Sequence, residues 1–441
     1  MDTARGVVMV EAFTPMPRSS RSKAITCRRD RKAAMQNFSV IGSTSFPPPL
    51  SYTKIRGMFR RSAMIYLDNA ATTFPKPPEV LRAMAGTMEK LGGNPGRGGH
   101  RLSLLAGRVV ESCREAAAEL LGVTSPERII FTKNCTESLN LAISGMLRPG
   151  DEVVCSHGEH NAVMRVLARL VSRGEVAVRV LQPDARGLLS PDDLRAAISP
   201  RTRLVILCHA SNVTGVIQPA AALGAVCREL GVPLLLDAAQ TAGVLDVTLD
   251  GLNADLIAMP GHKGLLGPHG TGLLALREGV DPEPLLVGGT GSASESLRQP
   301  ALLPDRYESG TLNLPGIAGL LAGLRFILAH RAEIAEYEHA LNERLRRQLA
   351  QIPGLALLGD DSAPRVGITS VVPAHGDSGE LADALDRSGV AVRAGLHCAP
   401  AIHAWLGTLQ SGAVRFSVGP FNTQRDVDDA AALTARLLQR S

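Results

Sequence analysis

Three reactive side chains lie just beyond apolar runs of the chain. Asp237 ends one run, Lys263 follows another after a Pro-Gly-His turn, and Cys398 stands in a third segment, next to a histidine. A carboxylate at the end of a buried strand is costly without a cationic partner, and a protonated pyridine nitrogen is one such partner. A lysine in an apolar, glycine-flanked turn has its charged form disfavoured, which favours a Schiff base. A cysteine near Arg393 and His397 has neighbours that stabilise a thiolate.

Two polar turns add features of a cofactor site. Residues 134–140, Asn-Cys-Thr-Glu-Ser-Leu-Asn, turn from a strand into a helix, so free N–H groups and the Thr136 hydroxyl could hold a phosphate. Residues 155–162 carry His160, whose flat ring could stack on an aromatic cofactor. The His-x-x-His spacing in that turn also suggests a metal, but no third ligand is placed to help, and no metal site is predicted. Each residue alone has an ordinary explanation: a helix cap, a solvated lysine or a buried thiol.

The elements that position these residues alternate from Met64 onward. Strands are predicted at 128–132, 152–156, 176–181, 204–209, 232–237, 255–259 and 272–276, with helices at 137–146, 162–171 and 220–230. Several of these strands are apolar on both faces, which predicts a largely parallel sheet covered by helices. A long charged helix at 334–351 leads into a smaller region, with strands at 367–372, 390–393 and 413–417 and helices at 380–388 and 423–438. Ligands bind beyond the carboxyl ends of such strands, so the reactive side chains are expected at one edge of the sheet.

The order of the candidate residues is more informative than any one of them. A phosphate turn, His160, Asn212, Asp237, Lys263 and a late Arg/Cys loop follow one another as in pyridoxal phosphate (PLP) enzymes. With the opening 66–73, Tyr-Leu-Asp-Asn-Ala-Ala-Thr-Thr, the sequence closely resembles the class V aminotransferase family of fold type I. Within that family it is similar to the cysteine desulfurase branch related to NifS and SufS, over about residues 64–441.

The resemblance implies an α/β protein with the PLP-dependent transferase fold type I. A large domain with a mostly parallel seven-stranded sheet covered by helices would be followed by a smaller C-terminal α+β domain. The expected boundaries are a disordered basic extension 1–63, an N-terminal segment 64–79 that packs with the small domain, a PLP-binding domain 80–325 and a small domain 326–441.

The resemblance also implies roles for individual residues. Lys263 would hold pyridoxal 5'-phosphate as a Schiff base and carry the α-proton, Asp237 would pair with the pyridinium nitrogen, and His160 would stack on the ring. Further cofactor contacts are implied for Cys135, Thr136, Asn212, Gln240, His262 and, toward the partner subunit of a homodimer, Thr311. Substrate contacts are implied for Arg97, His100, Arg393 and Arg415, of which Arg415 would clamp the substrate carboxylate. Cys398 would accept the sulfur from a short loop, like that of the second group of desulfurases.

The implied function is a cysteine desulfurase that converts L-cysteine to L-alanine and leaves a persulfide on Cys398 for an unidentified sulfur-acceptor protein. Selenocysteine lyases, cysteine sulfoxide lyases and aminotransferases share this fold and this set of cofactor-binding residues, so these activities remain alternatives. Pro260 departs from the family pattern, in which a serine usually precedes Gly-His-Lys and contacts the phosphate. One phosphate contact is therefore missing or replaced.

The net charge of +5 is unevenly distributed. Residues 1–63 carry 12 basic and 3 acidic residues, which leaves 35 basic and 39 acidic residues for the remainder. The basic segment could be a targeting peptide or a basic arm for an anionic surface, but a true start at Met58 or Met64 is favoured. A non-catalytic binding protein that docks through this arm is the alternative outside the enzyme class.

The remainder of the chain indicates neither a nucleic-acid nor a membrane partner. It is mildly acidic, and no apolar run reaches the 18 residues of a membrane span. The seven scattered cysteines contain no C-x-x-C pair, which indicates a reducing compartment and predicts a cytoplasmic location.

Overall fold

The structure, a computed structural model, describes residues 64–95 and 98–439; the predicted basic extension 1–63 lies outside this part. The strands are β1 Ile65–Tyr66, β2 Ile129–Thr132, β3 Asp151–Ser156, β4 Val176–Leu181, β5 Thr202–Cys208, β6 Leu234–Asp237, β7 Leu256–Pro260, β8 Gly272–Leu276, β9 Leu355–Leu357, β10 Ile368–Pro373, β11 Val390–Ala391, β12 Arg393–Gly395 and β13 Ala413–Ser417. The helices are α1 Pro78–Lys90, α2 Arg101–Leu121, α3 Cys135–Met146, α4 Asn161–Ser172, α5 Pro191–Ala197, α6 Ala220–Glu229, α7 Leu314–Leu349, α8 Ser378–Arg387, α9 Pro400–Trp405 and α10 Gln424–Leu438.

Seven strands form the large sheet, in the order β2-β8-β7-β6-β5-β3-β4. Strand β8 pairs antiparallel with both of its neighbours, whereas the other pairs are parallel. Helices α3 and α4 cover one face, and α2, α6 and the first half of α7 cover the other, so apolar side chains on both faces are buried. The predicted α/β fold with a mostly parallel seven-stranded sheet is confirmed.

The C-terminal region is built on the antiparallel sheet β12-β13-β10-β9. Helices α8 and α10 and the second half of α7 pack on it, around a core that includes Leu345, Leu385 and Phe416. Strand β1 pairs in parallel with β11, and Leu67 enters the same core. The first described residues therefore contact the C-terminal region before the chain enters the large sheet.

Helix α7 differs from its prediction in both length and position. The sequence predicts a helix over 334–351, but α7 begins at Leu314 and runs without a break through position 325. Pro315 is tolerated because it lies in the first turn, where Asn313 Oδ1 caps the helix by accepting from Gly316 N (3.1 Å). Gly323 lies against the carbonyl of Leu265, where a Cβ atom would clash. The Gly and Pro residues thus permit close packing and do not interrupt the helix.

The predicted strand 390–393 is wrong as a single element. The chain divides it at Val392 into β11, which pairs with β1, and β12, which pairs with β13. An apolar run alone does not show that its two ends pair with different strands.

Candidate active site

A cavity of about 230 Å³ lies between the carboxyl ends of the large-sheet strands and the C-terminal region. Most of the predicted site residues line it together: Cys135, Thr136, His160, Asn212, Asp237, Gln240, His262, Lys263, Arg393, Cys398 and Arg415. Residues from five strands or the turns after them converge with a loop of the C-terminal region. The expected meeting of side chains at one edge of the sheet is therefore present.

Asp237 is the last residue of β6, and Lys263 lies in the turn after the neighbouring parallel strand β7. Asp237 Oδ1 accepts from the backbone N of Ala239 (2.9 Å), and the Cys135 Sγ lies 3.6 Å from the same oxygen. Among the described residues, no hydrogen bond is made by the second oxygen of Asp237, which leaves it available to a ligand. Burial and the charge of Arg415 lower the pKa of Lys263, while Asp237 acts in the opposite direction. The lowered pKa favours the neutral amine.

The turn before Lys263 is held by the segment that follows β1. The carbonyl of His262 accepts from Thr72 Oγ1 (3.1 Å) and from Lys76 Nζ (2.6 Å), and the carbonyl of Lys263 accepts from Thr73 Oγ1 (3.1 Å). Burial lowers the pKa of Lys76 to about 7. These contacts were not predicted, although both threonines belong to the motif at 66–73 that carried the resemblance.

His160 is fixed at the start of α4, where its Nδ1 accepts from the backbone N of Ala162 (3.0 Å). Burial lowers its pKa, so the ring is neutral and its proton lies on Nε2. The preceding residue, Glu159, is fully buried and was missed in the sequence. Its Oε1 accepts from Ser156 Oγ and Cys208 N, both at 2.6 Å, and burial raises its pKa to about 8. Glu159 thus connects the ends of β3 and β5 by hydrogen bonds and precedes His160 directly in the chain.

The phosphate cradle predicted at 134–140 lies at the N-terminus of α3. Asn134 Oδ1 caps the helix by accepting from Glu137 N (2.9 Å), and the first-turn N–H groups of an α-helix have no intrahelical partner. His262 stacks on His269, with ring centroids 4.9 Å apart, and its buried Nδ1 has no hydrogen-bond partner in the described chain. Burial lowers the pKa of His262 to about 3, which makes it a neutral donor or acceptor.

Arg415 is almost fully buried, and it already holds two partners from this chain. Its Nη2 lies 2.8 Å from Asp68 Oδ1, and its Nη1 donates to the carbonyl of Asn212 (3.0 Å). The Nε atom is buried without a partner among the described residues. Arg415 is therefore oriented by Asp68 and Asn212 and retains a donor for a further acceptor.

Cys398 is exposed, whereas Cys113, Cys135, Cys155, Cys208 and Cys227 are buried. Cys398 and His397 both have positive φ angles, 58° and 51°. Burial lowers the pKa of His397 to about 3, so its ring carries no charge at neutral pH, and the stabilisation of a Cys398 thiolate by its neighbours stays a prediction. Arg393 lines the same cavity.

Two predicted residues that the structure describes, His100 and Thr311, do not line the cavity. Arg97 lies outside the described residues. His100 is exposed and caps α2, with its Nδ1 accepting from Ser103 N (3.3 Å), and Thr311 is exposed in the segment before α7. Their roles stay predictions.

Pro260 ends β7, opposite Gly272 of β8, and lines the cavity without a polar side-chain atom. Within residues 64–95 and 98–439, no group of three or more His, Cys, Asp or Glu side chains is placed to bind a metal ion. None of the helices in that part of the chain has the length and apolar character of a membrane span.

Comparison with known proteins identifies the family of this chain. The sequence model of the family described as Aminotransferase class-V matches residues 65–429. The chain belongs to the class V aminotransferase family. Within the family, it is 36% identical over 373 residues to a probable cysteine desulfurase of Methanothermobacter thermautotrophicus, which covers 82% of this chain and 92% of the relative. A cysteine desulfurase of Salmonella agona is 32% identical over 399 residues, 88% of this chain and 96% of that protein.

Solved structures of class V family members have the same fold. The apo cysteine desulfurase of Thermococcus onnurineus superposes with a TM-score of 0.81 at 32% identity, over 86% of this chain and 95% of that one. The Escherichia coli cysteine desulfurase CsdA gives a TM-score of 0.79 at 28% identity, over 89% of this chain and 99% of that one. The predicted class V resemblance and fold type I architecture are confirmed.

Proposed function

We propose that this chain is a PLP-dependent cysteine desulfurase that converts L-cysteine to L-alanine and leaves a persulfide on Cys398. The observation that carries the proposal is the exposed thiol of Cys398 on the same cavity as Lys263, Asp237 and Arg415. A lysine and a carboxylate at neighbouring strand ends suit a pyridoxal cofactor, and a thiol on the opposite wall suits sulfur transfer.

The residues of the cavity fit pyridoxal 5'-phosphate. Lys263 supplies the amine, Asp237 supplies a carboxylate oxygen for a ring nitrogen, and the first turn of α3 with Thr136 supplies phosphate donors. The unpartnered polar atoms Asn212 Oδ1 and His262 Nδ1 are buried beside the same space, as expected where a polar ligand completes the hydrogen bonds. When bound, the cofactor supplies an electron sink conjugated to the α-carbon of the substrate.

Three side chains would carry out substrate orientation, proton transfer and sulfur transfer. Arg415, held by Asp68 and Asn212, would orient the substrate carboxylate through its free donor. Lys263, with its lowered pKa, would take the proton from the α-carbon and return a proton to carbon. The Cys398 thiolate would attack the substrate sulfur, so that an S–S bond forms, the C–S bond breaks with its electrons going to carbon, and the carbon gains a proton. L-cysteine and the Cys398 thiol thus give L-alanine and a Cys398 persulfide, with no external oxidant or reductant.

The proposal includes a cytoplasmic homodimer and a separate sulfur-acceptor protein. The segment near Thr311 carries exposed apolar side chains, among them Leu286, Val287 and Leu297, and such a surface suits a second copy of the chain. Thr311 would then reach the cofactor phosphate of the partner. Neither nucleic acid nor a membrane is part of this function.

The test is incubation of the purified, cofactor-loaded protein with L-cysteine, followed by alanine assay and mass measurement of the peptide that contains Cys398. One added sulfur atom on that peptide, together with alanine, is the expected result. Cys398→Ala should keep the visible cofactor absorption and lose alanine formation, while Cys227→Ala, at a buried thiol away from the cavity, should behave as the wild type. Undiminished alanine formation by Cys398→Ala would refute sulfur transfer to Cys398.

A parallel assay with selenocysteine, with and without a keto acid, separates the neighbouring activities. A strong preference for selenocysteine would indicate a selenocysteine lyase. Amino-group transfer to the keto acid would indicate an aminotransferase.

A further inference from the structure

The loop that presents Cys398 has an unusual backbone. His397 and Cys398 are successive non-glycine residues with φ angles of 51° and 58°. L-residues rarely adopt this region, so two in succession persist only where surrounding contacts hold them. The direction of the Cys398 side chain therefore depends on whatever fixes these two residues.

Two of these contacts come from the large-sheet side of the cavity. The carbonyl of Cys398 accepts from the backbone N of Asn161 (2.7 Å), at the start of α4. The carbonyl of His397 accepts from Asn212 Nδ2 (2.6 Å). Both contacts are made to main-chain carbonyls of the loop. The imidazole of His397 makes separate contacts with the C-terminal region.

That imidazole begins a row of three buried side chains: His397, His403 and Thr408. His397 Nε2 lies 3.2 Å from the carbonyl of Arg393, His397 Nδ1 lies 3.4 Å from His403 Nε2, and His403 Nδ1 lies 2.8 Å from Thr408 Oγ1. His403 belongs to α9, the helix that follows the loop, and Thr408 lies in the turn after it.

One arrangement of the hydrogen positions satisfies all three contacts of this row. A carbonyl only accepts, so Nε2 of His397 must carry the proton that Arg393 O receives. Burial lowers the pKa of both histidines, that of His397 to about 3, so both rings are neutral. His397 Nδ1 must then accept from His403 Nε2, and His403 Nδ1 must accept from the Thr408 hydroxyl. Every ring nitrogen in the row is satisfied.

We propose that His403 is a positioning residue for the Cys398 nucleophile, acting through the ring of His397, and that Thr408 selects the tautomer of His403 that can do so. This inference rests on the proposed function, since it concerns the step in which Cys398 attacks sulfur. His403 does not line the cavity, so it is proposed to act through His397 and not by contact with the substrate.

The test compares His403→Leu with His403→Gln. Glutamine keeps an N–H donor near the place of Nε2, whereas leucine leaves His397 Nδ1 buried without a partner. We expect His403→Leu to lower kcat for alanine formation at least about tenfold with little change in KM, because the nucleophile is misplaced while substrate and cofactor binding persist. His403→Gln should keep most of the activity, and both variants should keep the visible cofactor absorption. The rate of Cys398 alkylation by iodoacetamide should change in His403→Leu and remain near wild type in His403→Gln.

Thr408→Val and Thr408→Ser provide a second, milder pair. Valine removes the hydroxyl without changing the shape, so kcat should fall severalfold, while serine should match the wild type. This pair decides the question if His403→Leu fails to fold. Equal loss of kcat in leucine and glutamine variants that both fold, or wild-type kinetics and alkylation in His403→Leu and Thr408→Val, would overturn the inference. A wild-type protein that makes no alanine from cysteine would instead overturn the proposed function, which keeps the two failures distinct.

Discussion

The two walls of the active-site cavity are built in different ways. On one wall, Asp237 ends β6 and Lys263 follows the neighbouring strand β7, so the backbone hydrogen bonds between these strands fix where each side chain emerges. On the other wall, Cys398 stands in a loop with positive φ angles, held by hydrogen bonds from Asn161, Asn212 and the ring of His397. The sheet wall depends on regular secondary structure, and the loop wall depends on individual hydrogen bonds.

This difference predicts two kinds of loss. Changes on the sheet wall should disturb the cofactor and therefore both the visible absorption and the activity. Changes on the loop wall should leave the absorption intact and lower only the rate of sulfur transfer. The predictions below begin with the largest expected effect; the first two test this separation, and the other two test how further residues around the cavity contribute.

Lys263→Ala should remove the visible absorption of the bound cofactor and lower alanine formation by at least about 1000-fold, because no other amine replaces it in the proposed chemistry. Cys398→Ala should cause a comparable loss of activity and keep the absorption. Absorption spectra and alanine assays of both variants check the contrast, with Lys133→Ala, at an exposed lysine, as the control. Retained absorption in Lys263→Ala would place the cofactor linkage elsewhere.

Asp237→Asn should lower kcat about 100-fold and weaken cofactor retention. The amide oxygen can still accept from Ala239 N, but a neutral group no longer stabilises a protonated ring nitrogen. Dialysis followed by absorption spectra measures retention. Asp255→Asn is the matched control, since Asp255 lies before β7, at the opposite edge of the same sheet, and accepts from Leu234 N. A similar loss of cofactor in both variants would point to damage of the sheet and not to a specific role of Asp237.

Arg415→Lys should raise KM for cysteine about tenfold or more, with a smaller change in kcat. A lysine ammonium is a point charge that cannot contact Asp68, the Asn212 carbonyl and a substrate carboxylate in the planar arrangement of a guanidinium. Steady-state kinetics separate the two constants. Arg425→Lys, at an exposed arginine on α10, should be neutral, and an unchanged KM in Arg415→Lys would argue against its contact with the substrate.

Glu159→Gln should change the pH dependence of stability more than the activity. The buried carboxyl keeps its proton to about pH 8, whereas its ordinary pKa is 4.5, so the folded chain binds more protons between these values. Stability from this group is complete below about pH 4.5 and declines as pH rises toward 8, by at most about 1.4 kcal/mol per pH unit. Glutamine cannot ionise and keeps an oxygen for Cys208 N.

Thermal midpoints of Glu159→Gln and wild type should therefore diverge from pH 5 to pH 8, with the variant the more stable at pH 8. Glu278→Gln, at an exposed position, serves as the control. Curves that stay parallel across this range would contradict a buried, protonated Glu159.

The sheet wall was predictable from sequence because the positions of its reactive residues follow from a short, local sequence pattern. An apolar run followed by a polar residue predicted the positions of Asp237 and Lys263, and the structure brings both to one cavity. The hydrogen bonds that hold the turn before Lys263 were not predictable in this way, since Thr73 and Lys76 lie 190 and 186 positions before the carbonyls that they contact. Its formation depends on β1 pairing in the C-terminal region.

The loop wall was predictable in composition but not in its electrostatics. The sequence placed His397 beside Cys398 as a neighbour that could stabilise a thiolate, but it did not show that burial keeps the His397 ring neutral. Burial depends on α9 and the turn after it, which pack behind the loop. Tertiary packing was equally hidden from the sequence at α7. Gly323 would count as a helix breaker by composition alone, but its close contact with the carbonyl of Leu265 leaves no room for a side chain.

Helix α7 has a practical consequence for dividing the protein. At 36 residues it is about 54 Å long, and the predicted domain boundary near residue 325 falls within it. A fragment that ends there would lose the second half of the helix, and a fragment that starts there would lack Leu320 and Leu324, which are fully buried against the large sheet. Each separately expressed half would expose apolar surface and tend to aggregate. The two halves of the enzyme should therefore be produced, crystallised and engineered as one piece.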